Sequence, residues 1–446
     1  MNVLILGAGE IGFHLAKRFS QEKYNITIIE RDHKQVVRAS EQLDAIVVEG
    51  HAASFRRLQE ANIKNTDVLC AMTNIDEVNL IACQLAKKVG VPITIARVRK
   101  PEYTKSDFIL SQKELGADLL IHPEKEIANA ILRLIRQSSA TDVMEFADGK
   151  VQLMGIRLEG DSPVLRTPLA DLGKQMDHPP VRIVAINRKE RTLIPHGGDV
   201  LAPGDQIFVI CDPDYIPEYL KWIGKSDTRI ENIMILGGGL IGQFISENID
   251  RNIKVKIIES NADKSQELAD RLPNALVIHG DGTDIDLLAV EGITDMDAFI
   301  SVTGDDENNI ISTLVARHLK VPRTIALVNK VEYLPITPTI GLDAVVSKQV
   351  MTVNSILRFI RYQQVAAVAM LPGVDAEIIE CAAQPGSKVT KKPLSKVNFP
   401  KHAIIGAVLQ NGNLVIPMGD TQINSGDQVV IFALPHVLSE VMKVFK

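Results

Sequence analysis

The feature that most constrains the fold is a glycine motif that occurs twice in the chain. The stretch Val3-Leu-Ile-Leu-Gly-Ala-Gly-Glu-Ile-Gly12 is matched by Ile233-Met-Ile-Leu-Gly-Gly-Gly-Leu-Ile-Gly242, about 230 residues later. The matches continue in the same order, and Thr27–Glu30 corresponds to Lys256–Glu259. Chance recurrence of one motif would not preserve this order, so we interpret the chain as a tandem duplication.

The repeat includes a second kind of domain. Ala202–Ile210 parallels Asn424–Phe432, and each segment is a Gly-Asp turn that leads into a β-rich run. The sequence therefore predicts an α/β protein with two doubly wound parallel-sheet Rossmann domains, each followed by a small α+β domain. The predicted boundaries are 1–122 and 230–350 for the Rossmann domains, and 140–225 and 365–446 for the small domains.

Within the first copy, short apolar runs alternate with helical stretches, which is the pattern of a parallel sheet covered by helices. The strands are predicted at Val3–Leu6, Ile26–Ile29, Ala45–Val48, Val68–Ala71, Ile93–Ala96 and Leu119–Ile121. The segment Glu124–Gln137 then reads as an amphipathic helix. That helix either packs on the sheet or serves as a dimer or hinge element.

The first glycine motif has the residue types that dinucleotide binding requires. Gly7 permits a tight turn, Gly9 lets a pyrophosphate approach the backbone, and Gly12 permits close packing of helix on strand. Glu30 follows about twenty residues later, where an acid accepts hydrogen bonds from ribose hydroxyls and repels the 2′-phosphate of NADP. The candidate cofactor-binding residues of the first copy are Gly7, Ala8, Gly9, Glu10, Ile11, Gly12, Glu30, His51, Thr73, Asn74 and Arg97.

Several of these residues have a second interpretation. Arg97 is either a phosphate clamp or a solvated arginine in a salt bridge. His51 either touches the adenine or ribose or is an ordinary polar loop residue. Thr73 and Asn74 are either ligand contacts or N-caps of the helix that follows.

The second copy repeats the motif and the acid but not the arginines. Its candidate cofactor-binding residues are Gly237, Gly238, Gly239, Leu240, Ile241, Gly242, Glu259, Asp281 and Thr303. Arg97 and Arg99 of the first copy align with Leu327 and Asn329 of the second. Because guanidinium groups make bidentate contacts to phosphate, we expect the second site to bind more weakly or with a different selectivity.

Composition excludes some classes of ligand and compartment. Aromatic residues make up 4% of the 446 residues and the net charge is −6, which disfavours nucleic acid as a ligand. The four cysteines form no CxxC pair, so neither a metal site nor a disulfide framework is expected. The N-terminal residues enter a strand without a secretory signal, and no apolar run is long enough for a membrane span. We therefore expect a protein of the reducing cytosol.

The β-rich segments offer no catalytic group at matched places in the two copies. No HExxH, GxSxG or GxxxxGK[ST] pattern is present, and no His/Asp or Lys/Tyr pair recurs. We therefore expect a protein that is not an enzyme. A soluble NAD-dependent oxidoreductase remains an alternative, whereas a redox-sensing transcription factor would need a basic recognition helix that the chain lacks.

The ordered set of motifs resembles the TrkA family, the peripheral regulatory subunits of bacterial Trk potassium uptake, whose chains carry two RCK units (regulators of potassium conductance). The resemblance covers nearly the whole chain and is carried by Leu6–Gly12, Gly50–Ala52, Thr73–Glu77, Arg97, Gly237–Gly242, Gly280–Asp281 and Thr303–Glu307. Gly304 departs from the pattern, because the first copy has Asn74 at that position.

The resemblance implies a regulatory role at the membrane. Subunits of this kind assemble as homo-oligomers, as a dimer or a tetrameric ring, on the cytoplasmic face of the inner membrane beneath a potassium-translocating subunit of Trk type. NAD(H) or ATP/ADP in the Rossmann lobes would change the shape of the ring and so the transport. Regulation of a different cation transporter is the alternative.

Overall fold

The computed structural model describes the chain except for residues 106–107, 176–179, 190, 226–228, 338, 363–365, 371–373, 375 and 446. Contacts within the chain divide it into two units. The first contains residues 1–127 and 348–360, and the second contains residues 128–347 and 361–446.

The first 136 residues alternate strands with helices. The elements are β1 (Asn2–Leu6), α1 (Glu10–Gln21), β2 (Asn25–Glu30), α2 (His33–Gln42), β3 (Ile46–Glu49), α3 (Phe55–Glu60), β4 (Val68–Ala71), α4 (Asp76–Val89), β5 (Ile93–Arg97), β6 (Leu119–Ile121) and α5 (Pro123–Arg136). The strands are parallel in the order β3-β2-β1-β4-β5-β6. The predicted doubly wound sheet is confirmed, and its winding reverses between β1 and β4, where ligands of such sheets bind.

The next segment forms an antiparallel sheet. Its elements are β7 (Asp142–Phe146), β8 (Val151–Arg157), α6 (Leu169–Gln175), β9 (Val181–Arg188), β10 (Arg191–Leu193), β11 (Gln206–Cys211) and α7 (Ile216–Trp222), with strand order β10-β9-β11-β8-β7. The Gly-Asp turn before β11 places Gly204 at a φ of +83°, a conformation that favours glycine. Buried Asp205 then accepts hydrogen bonds from Arg188 Nε at 2.8 Å and from the Ala202 N–H at 2.8 Å.

The second copy repeats this arrangement. Its Rossmann elements are β12 (Asn232–Leu236), α8 (Leu240–Asn248), β13 (Lys254–Glu259), α9 (Ala262–Arg271), β14 (Ala275–His279), α10 (Ile285–Val290), β15 (Ala298–Ser301), α11 (Asp306–His318), β16 (Arg323–Leu327), β17 (Ala344–Val346) and α12 (Lys348–Tyr362). Its small domain contains β18 (Ala366–Met370), β19 (Glu377–Ala382), β20 (Ala403–Gln410), β21 (Asn413–Val415), β22 (Gln428–Ala433) and α13 (Leu438–Phe445). The strand orders, β14-β13-β12-β15-β16-β17 and β18-β19-β22-β20-β21, confirm the tandem duplication of a parallel and an antiparallel sheet.

The two small sheets share one hydrophobic core within the second unit. Val184, Phe208 and Ile210 of the first small sheet lie in the same buried cluster as Ala407 and Phe432 of the second. The sheets approach so closely that a Cβ added to Gly406 would lie 2.5 Å from the Ile210 side chain. The sequence did not predict this pairing, because each small domain read separately as an independent β-rich unit.

Helix α12 packs in the first unit, although it follows the second Rossmann sheet in sequence. Val353, Ile356, Leu357 and Ile360 are buried in one cluster with apolar residues of β1, β2 and α1. Each fully buried aliphatic side chain of this kind stabilises the fold by about 1.5–3 kcal/mol. The first Rossmann sheet therefore depends on a helix from the second copy.

The predicted domain boundaries stay a prediction. Each sheet lies inside one of the four predicted ranges, but α12 begins inside the range 230–350 and ends beyond it. Residue 365, where the second small domain was predicted to begin, lies outside the described residues.

None of the helices in the described part of the chain combines the length and apolar character that crossing a bilayer requires.

Candidate functional site

The three glycines of the first motif have different backbone environments. Gly7 has a φ of +97°, which turns the chain sharply after β1. A Cβ added to Gly12 would lie 1.9 Å from the Gly7 carbonyl oxygen, so the first turn of α1 packs directly on that loop. A Cβ added to Gly9 would meet no protein atom within 4 Å. Gly9 therefore presents bare backbone to open space at the start of α1, where unpaired N–H groups and the helix dipole favour an anion.

Glu30 is held beside this loop by backbone donors. Its Oε2 accepts a hydrogen bond from the Ala8 N–H at 2.6 Å, and its Oε1 accepts from the N–H groups of Arg31 and Asp32 at 2.7 and 2.8 Å. These bonds fix the carboxylate at the carboxyl end of β2 and tie it to the glycine loop. An acid in this position can accept further hydrogen bonds from a ribose diol.

A cleft with about 820 Å³ of empty space opens between these elements. Six of the sequence-predicted residues line it: Gly7, Gly9, Glu30, His51, Thr73 and Asn74. Ala8, Ile11 and Gly12 are buried behind the loop, and Glu10 is exposed at the start of α1 but is not a lining residue.

Sequence reasoning missed several lining residues. Arg31, Asp32 and Gln35 line the cleft after β2, and Ile75 and Val78 line it after β4. The signal that could have found Arg31 and Asp32 is their place directly after the strand that ends at Glu30, because ligands of open sheets bind at carboxyl ends of strands. Gln35 carries no such signal, since it lies within α2.

Thr73 is anchored by a buried asparagine rather than by capping a helix. Its N–H and Oγ1 donate to Asn79 Oδ1 at 3.0 and 2.7 Å, and Asn79 Nδ2 donates to the Arg97 carbonyl at 2.9 Å. Ile75 is the N-cap residue of α4, so neither Thr73 nor Asn74 has the capping role that was one interpretation of them. Asn79 thus holds the ends of β4 and β5 together under the cleft.

The same anchor recurs in the second copy. Asn309 Oδ1 accepts from the Thr303 N–H at 2.9 Å and from Thr303 Oγ1 at 2.7 Å, and its Nδ2 donates to the Leu327 carbonyl at 3.0 Å. The predicted site residue Thr303 therefore has the same local structure as Thr73.

Arg97 does not line the cleft but lies behind Asn74, which does. It is 7% exposed and is not a lining residue; its Nη1 donates to Asn74 Oδ1 at 3.2 Å, and its Nη2 lies 3.5 Å from Glu124 Oε1. Burial lowers the pKa of Arg97, and the negative charge of Glu124 opposes that shift. The solvated salt bridge that was one interpretation of Arg97 is wrong, because its ion pair is buried. The clamp role stays a prediction.

The second lobe keeps the glycine geometry. Gly237 has a φ of +108°, a Cβ at Gly242 would lie 2.2 Å from the Gly237 carbonyl oxygen, and a Cβ at Gly239 would meet no atom within 4 Å. Gly238 is buried, and Leu240 and Ile241 begin α8. The loop is therefore a close copy of the first.

The acid of the second lobe has an additional partner. Glu259 Oε2 accepts from Lys264 Nζ at 2.6 Å and from the Gly238 N–H at 3.1 Å, and its Oε1 accepts from the Asn261 N–H at 3.0 Å. Burial raises the pKa of Glu259, but the hydrogen bonds, led by that of Lys264, outweigh it and leave the pKa lowered. Gln35 occupies the position of Lys264 in the first lobe, so only the second acid has this cation.

Asp281, the counterpart of His51, is engaged in its own turn. Its Oδ1 accepts hydrogen bonds from the Thr283 N–H at 2.9 Å and from Thr283 Oγ1 at 2.8 Å. These bonds lower the pKa of Asp281. The residue is exposed and adds a negative charge to the second lobe where the first has an imidazole.

The fold and the site define a class: duplicated Rossmann lobes with dinucleotide-type glycine loops, each followed by a small antiparallel sheet. Family models agree. The TrkA-N domain matches residues 3–123 and 233–348, and the TrkA-C domain matches residues 153–224 and 378–446. The chain belongs to the TrkA family, with two RCK units, which confirms the resemblance.

Curated relatives match along the whole chain. The chain is 36% identical to "Trk system potassium uptake protein TrkA homolog 1" of Methanosarcina mazei, with 100% of each chain covered. It is 33% identical to "Trk system potassium uptake protein TrkA" of Azorhizobium caulinodans, covering 100% of this chain and 99% of the relative.

Solved structures share the fold at low sequence identity. A structure described as "GsuK channel bound to NAD" is 18% identical with a TM-score of 0.64, covering 100% of this chain and 78% of that chain. "Crystal Structure of the GsuK RCK domain" is also 18% identical with a TM-score of 0.64, covering 99% of this chain and 94% of that chain. At this identity the likeness concerns the fold.

Proposed function

We propose that this chain is a nucleotide-binding regulatory subunit of a potassium-uptake system. Its relatives are named potassium uptake proteins of the Trk system, and structures of the same fold are described as bound to NAD and to ADP. In this proposal the chain is a homo-oligomer on the cytoplasmic face of the inner membrane. There it controls a potassium-translocating membrane subunit, and its ligand is NAD(H), ADP or ATP.

The observation that carries the proposal is the first-lobe cleft. Gly9 exposes backbone to open space at the start of α1, and the Glu30 carboxylate lies at the other end of the same loop. This arrangement suits a nucleotide whose phosphates meet the helix N-terminus and whose ribose hydroxyls meet Glu30. Arg31 and His51 line the same cleft and are available to the adenine or ribose.

The second lobe is proposed as a weaker nucleotide site. A ribose must compete there with Lys264 for Glu259, and the arginine behind the first cleft is replaced by Leu327. Both differences reduce the interactions open to a nucleotide phosphate or ribose. The two sites of one chain would therefore respond to different nucleotide concentrations.

We propose regulation rather than catalysis as the role of the bound nucleotide. The ligand biases a conformational equilibrium, and its effect is limited by its difference in affinity for the two states. A hydride-transfer assay with NADH and a panel of carbonyl substrates checks this point. Turnover with any of them would favour the oxidoreductase alternative.

The direct test is calorimetric titration of the full chain with NADH, NAD, ADP and ATP, followed by potassium flux through the co-purified membrane subunit. We expect saturable binding of at least one nucleotide and a flux that changes about fivefold or more on saturation. Absence of binding by all four, or an identical flux with and without the bound nucleotide, would defeat the proposal. Flux of another cation alone would support the alternative transporter.

A further inference from the structure

A buried ionic network connects the first cleft to the start of α12. Asn74, on the cleft wall, accepts a hydrogen bond from Arg97 at 3.2 Å, and Arg97 Nη2 lies 3.5 Å from Glu124 Oε1. The same Oε1 lies 3.9 Å from Lys348 Nζ, at the first residue of α12. The side chains of Arg97 and Glu124 are 9% and 6% exposed, so water screens their interaction weakly.

Glu124 is the centre of this network. Burial alone would raise its pKa, but the His122 imidazole, 3.5 Å from Oε2, and the charges of Arg97 and Lys348 lower it to about 2. The carboxylate is therefore ionised at every physiological pH, and both cations share one negative charge. If the interaction of Arg97 with Glu124 weakens, the interaction of Lys348 with the same carboxylate must therefore strengthen.

The start of α12 also touches the glycine loop directly. Gln349 Nε2 donates to Glu10 Oε2 at 3.5 Å, at the first residue of α1. Two contacts thus link the amino end of α12 to the elements that form the cleft. All these residues belong to the first unit, and the chain passes into the second unit directly after Ile360.

The internal repeat shows that a sheet of this topology forms without such a network. Every member that joins the cleft to Glu124 is different in the second lobe, although that lobe forms the same sheet. Asn74, Arg97, His122 and Glu124 correspond to Gly304, Leu327, Ser347 and Gln349. By contrast, the structural anchor Asn79 is retained as Asn309.

We propose that Arg97 and Glu124 transmit nucleotide occupancy of the first cleft to the start of α12, and that the second lobe lacks this connection. The inference rests on the proposed nucleotide-binding function. An anionic phosphate in the cleft draws Arg97 toward Asn74 and away from Glu124. Glu124 then pairs more fully with Lys348, which changes how firmly the amino end of α12 is held.

The two neighbours of Arg97 should affect affinity in opposite directions. Glu124→Gln, which installs the residue of the second lobe, removes the competitor for Arg97 and should tighten nucleotide binding about fivefold. Lys348→Met removes the alternative partner of Glu124, so Arg97 is held more tightly and binding should weaken by about the same factor. Both effects should vanish when Arg97 is replaced by leucine, because coupled residues are not additive.

The experiment uses the full chain with the second site blocked by Gly239→Val, and titrates NADH, ADP and ATP by calorimetry. Arg358→Met is the matched control, because Arg358 is an exposed cation on the same helix. Lys348→Arg keeps a cation beside Glu124, so its affinity for nucleotide should equal that of the chain that keeps Lys348. Hydrogen exchange over 348–360, with and without saturating nucleotide, provides a second readout that does not depend on any variant folding.

The expected results are opposite shifts for Glu124→Gln and Lys348→Met, loss of both in the Arg97→Leu background, and changed exchange at α12. Equal affinities for Lys348→Met and Arg358→Met would overturn the inference. The inference would also be overturned if the affinity changes of Glu124→Gln and Lys348→Met simply added to that of Arg97→Leu. Hydrogen exchange at α12 that nucleotide does not change would overturn it as well. Nucleotide binding without these effects leaves the proposed function intact, whereas no binding by the unmodified chain overturns both.

Discussion

Replacing Gly9 with valine should remove nucleotide binding at the first site and leave the fold intact. Gly9 has φ −63° and ψ −175°, an extended conformation that any residue adopts, and a Cβ there meets no atom within 4 Å. Gly9 is also the N-cap of α1, and a β-branched residue is a poor cap, so the stability cost is about 1 kcal/mol. Valine therefore fits the protein but fills the space in front of the helix N-terminus.

The loss of affinity follows from the contacts that valine blocks. A hydrogen bond to a charged group contributes about 1.5–3 kcal/mol, and a pyrophosphate over this loop would accept at least two from backbone N–H groups. Losing two such bonds costs about 3–6 kcal/mol, which is a factor of about 10² to 10⁴ in the dissociation constant.

Calorimetry with NADH and ADP, together with thermal melting, tests this reasoning. Gly239→Val is the matched variant of the second lobe and should leave first-site affinity unchanged. Gly12→Ala is the opposite control, because its Cβ would lie 1.9 Å from the Gly7 carbonyl oxygen and must displace backbone. Unchanged first-site affinity of Gly9→Val, or melting of this variant as early as Gly12→Ala, would contradict the prediction.

Three further predictions concern single side chains. Lys264→Gln should tighten NADH binding at the second site about two- to fivefold, because it frees Glu259 from its cation. The factor is modest because Lys264 is partly solvated. Gln35→Lys should weaken NADH binding at the first site by the same factor, and unchanged affinities of the two variants would contradict this prediction. With the second site blocked, Arg97→Ala should weaken binding about tenfold or more in the same titration, and unaltered affinity would end its role as a clamp. Burial raises the pKa of Asp142 to about 6, so the folded chain holds this proton more tightly than the unfolded chain. The free energy of unfolding should therefore fall by up to about 3 kcal/mol as pH rises from about 4 to 6, and urea unfolding of Asp142→Asn should lack this slope.

The sheets and the glycine loops were predictable because their signals are local. Parallel strands such as β1 and β4 are continuous apolar runs between helical segments, and the repeat doubled the evidence for each. Gly7, Gly9 and Gly12 could be assigned separate roles because a strand–loop–helix connection fixes where each one lies. These inferences needed no knowledge of distant contacts.

The packing of α12 on the first Rossmann sheet could not be predicted from the sequence. Hydrophobic periodicity shows that a helix has one apolar face, but not which sheet that face covers. In a duplicated chain, two similar sheets offer similar apolar surfaces. The consequence is practical: a separately expressed first half would lack α12 and expose the surface that Val353, Ile356 and Leu357 cover. Affinities of the two sites are therefore better compared in full chains with one site blocked.

The partners of charged site residues were equally hidden. Arg97 was recognisable at the end of a strand, but its partner Glu124 lies beyond another strand of the sheet. Lys264 reads as an ordinary lysine on an exposed helix, and only the structure shows its Nζ 2.6 Å from Glu259. Side-chain pairing between elements depends on tertiary geometry, which neither periodicity nor spacing encodes.

Comparison of the two lobes distinguishes residues that stabilise the fold from residues that would contact a ligand. Positions that hold backbone are the same in both lobes, because Asn79 and Asn309 tie the ends of neighbouring strands by the same hydrogen bonds. Positions on or just behind the first cleft differ: Gln35 against Lys264, His51 against Asp281, Asn74 against Gly304 and Arg97 against Leu327. Two sheets of one topology therefore present different charges to a ligand. The glycines and the acid of the cleft are the same in both lobes, so a ligand would meet one backbone geometry with two different sets of charges, and these four differences favour a division of roles between the lobes.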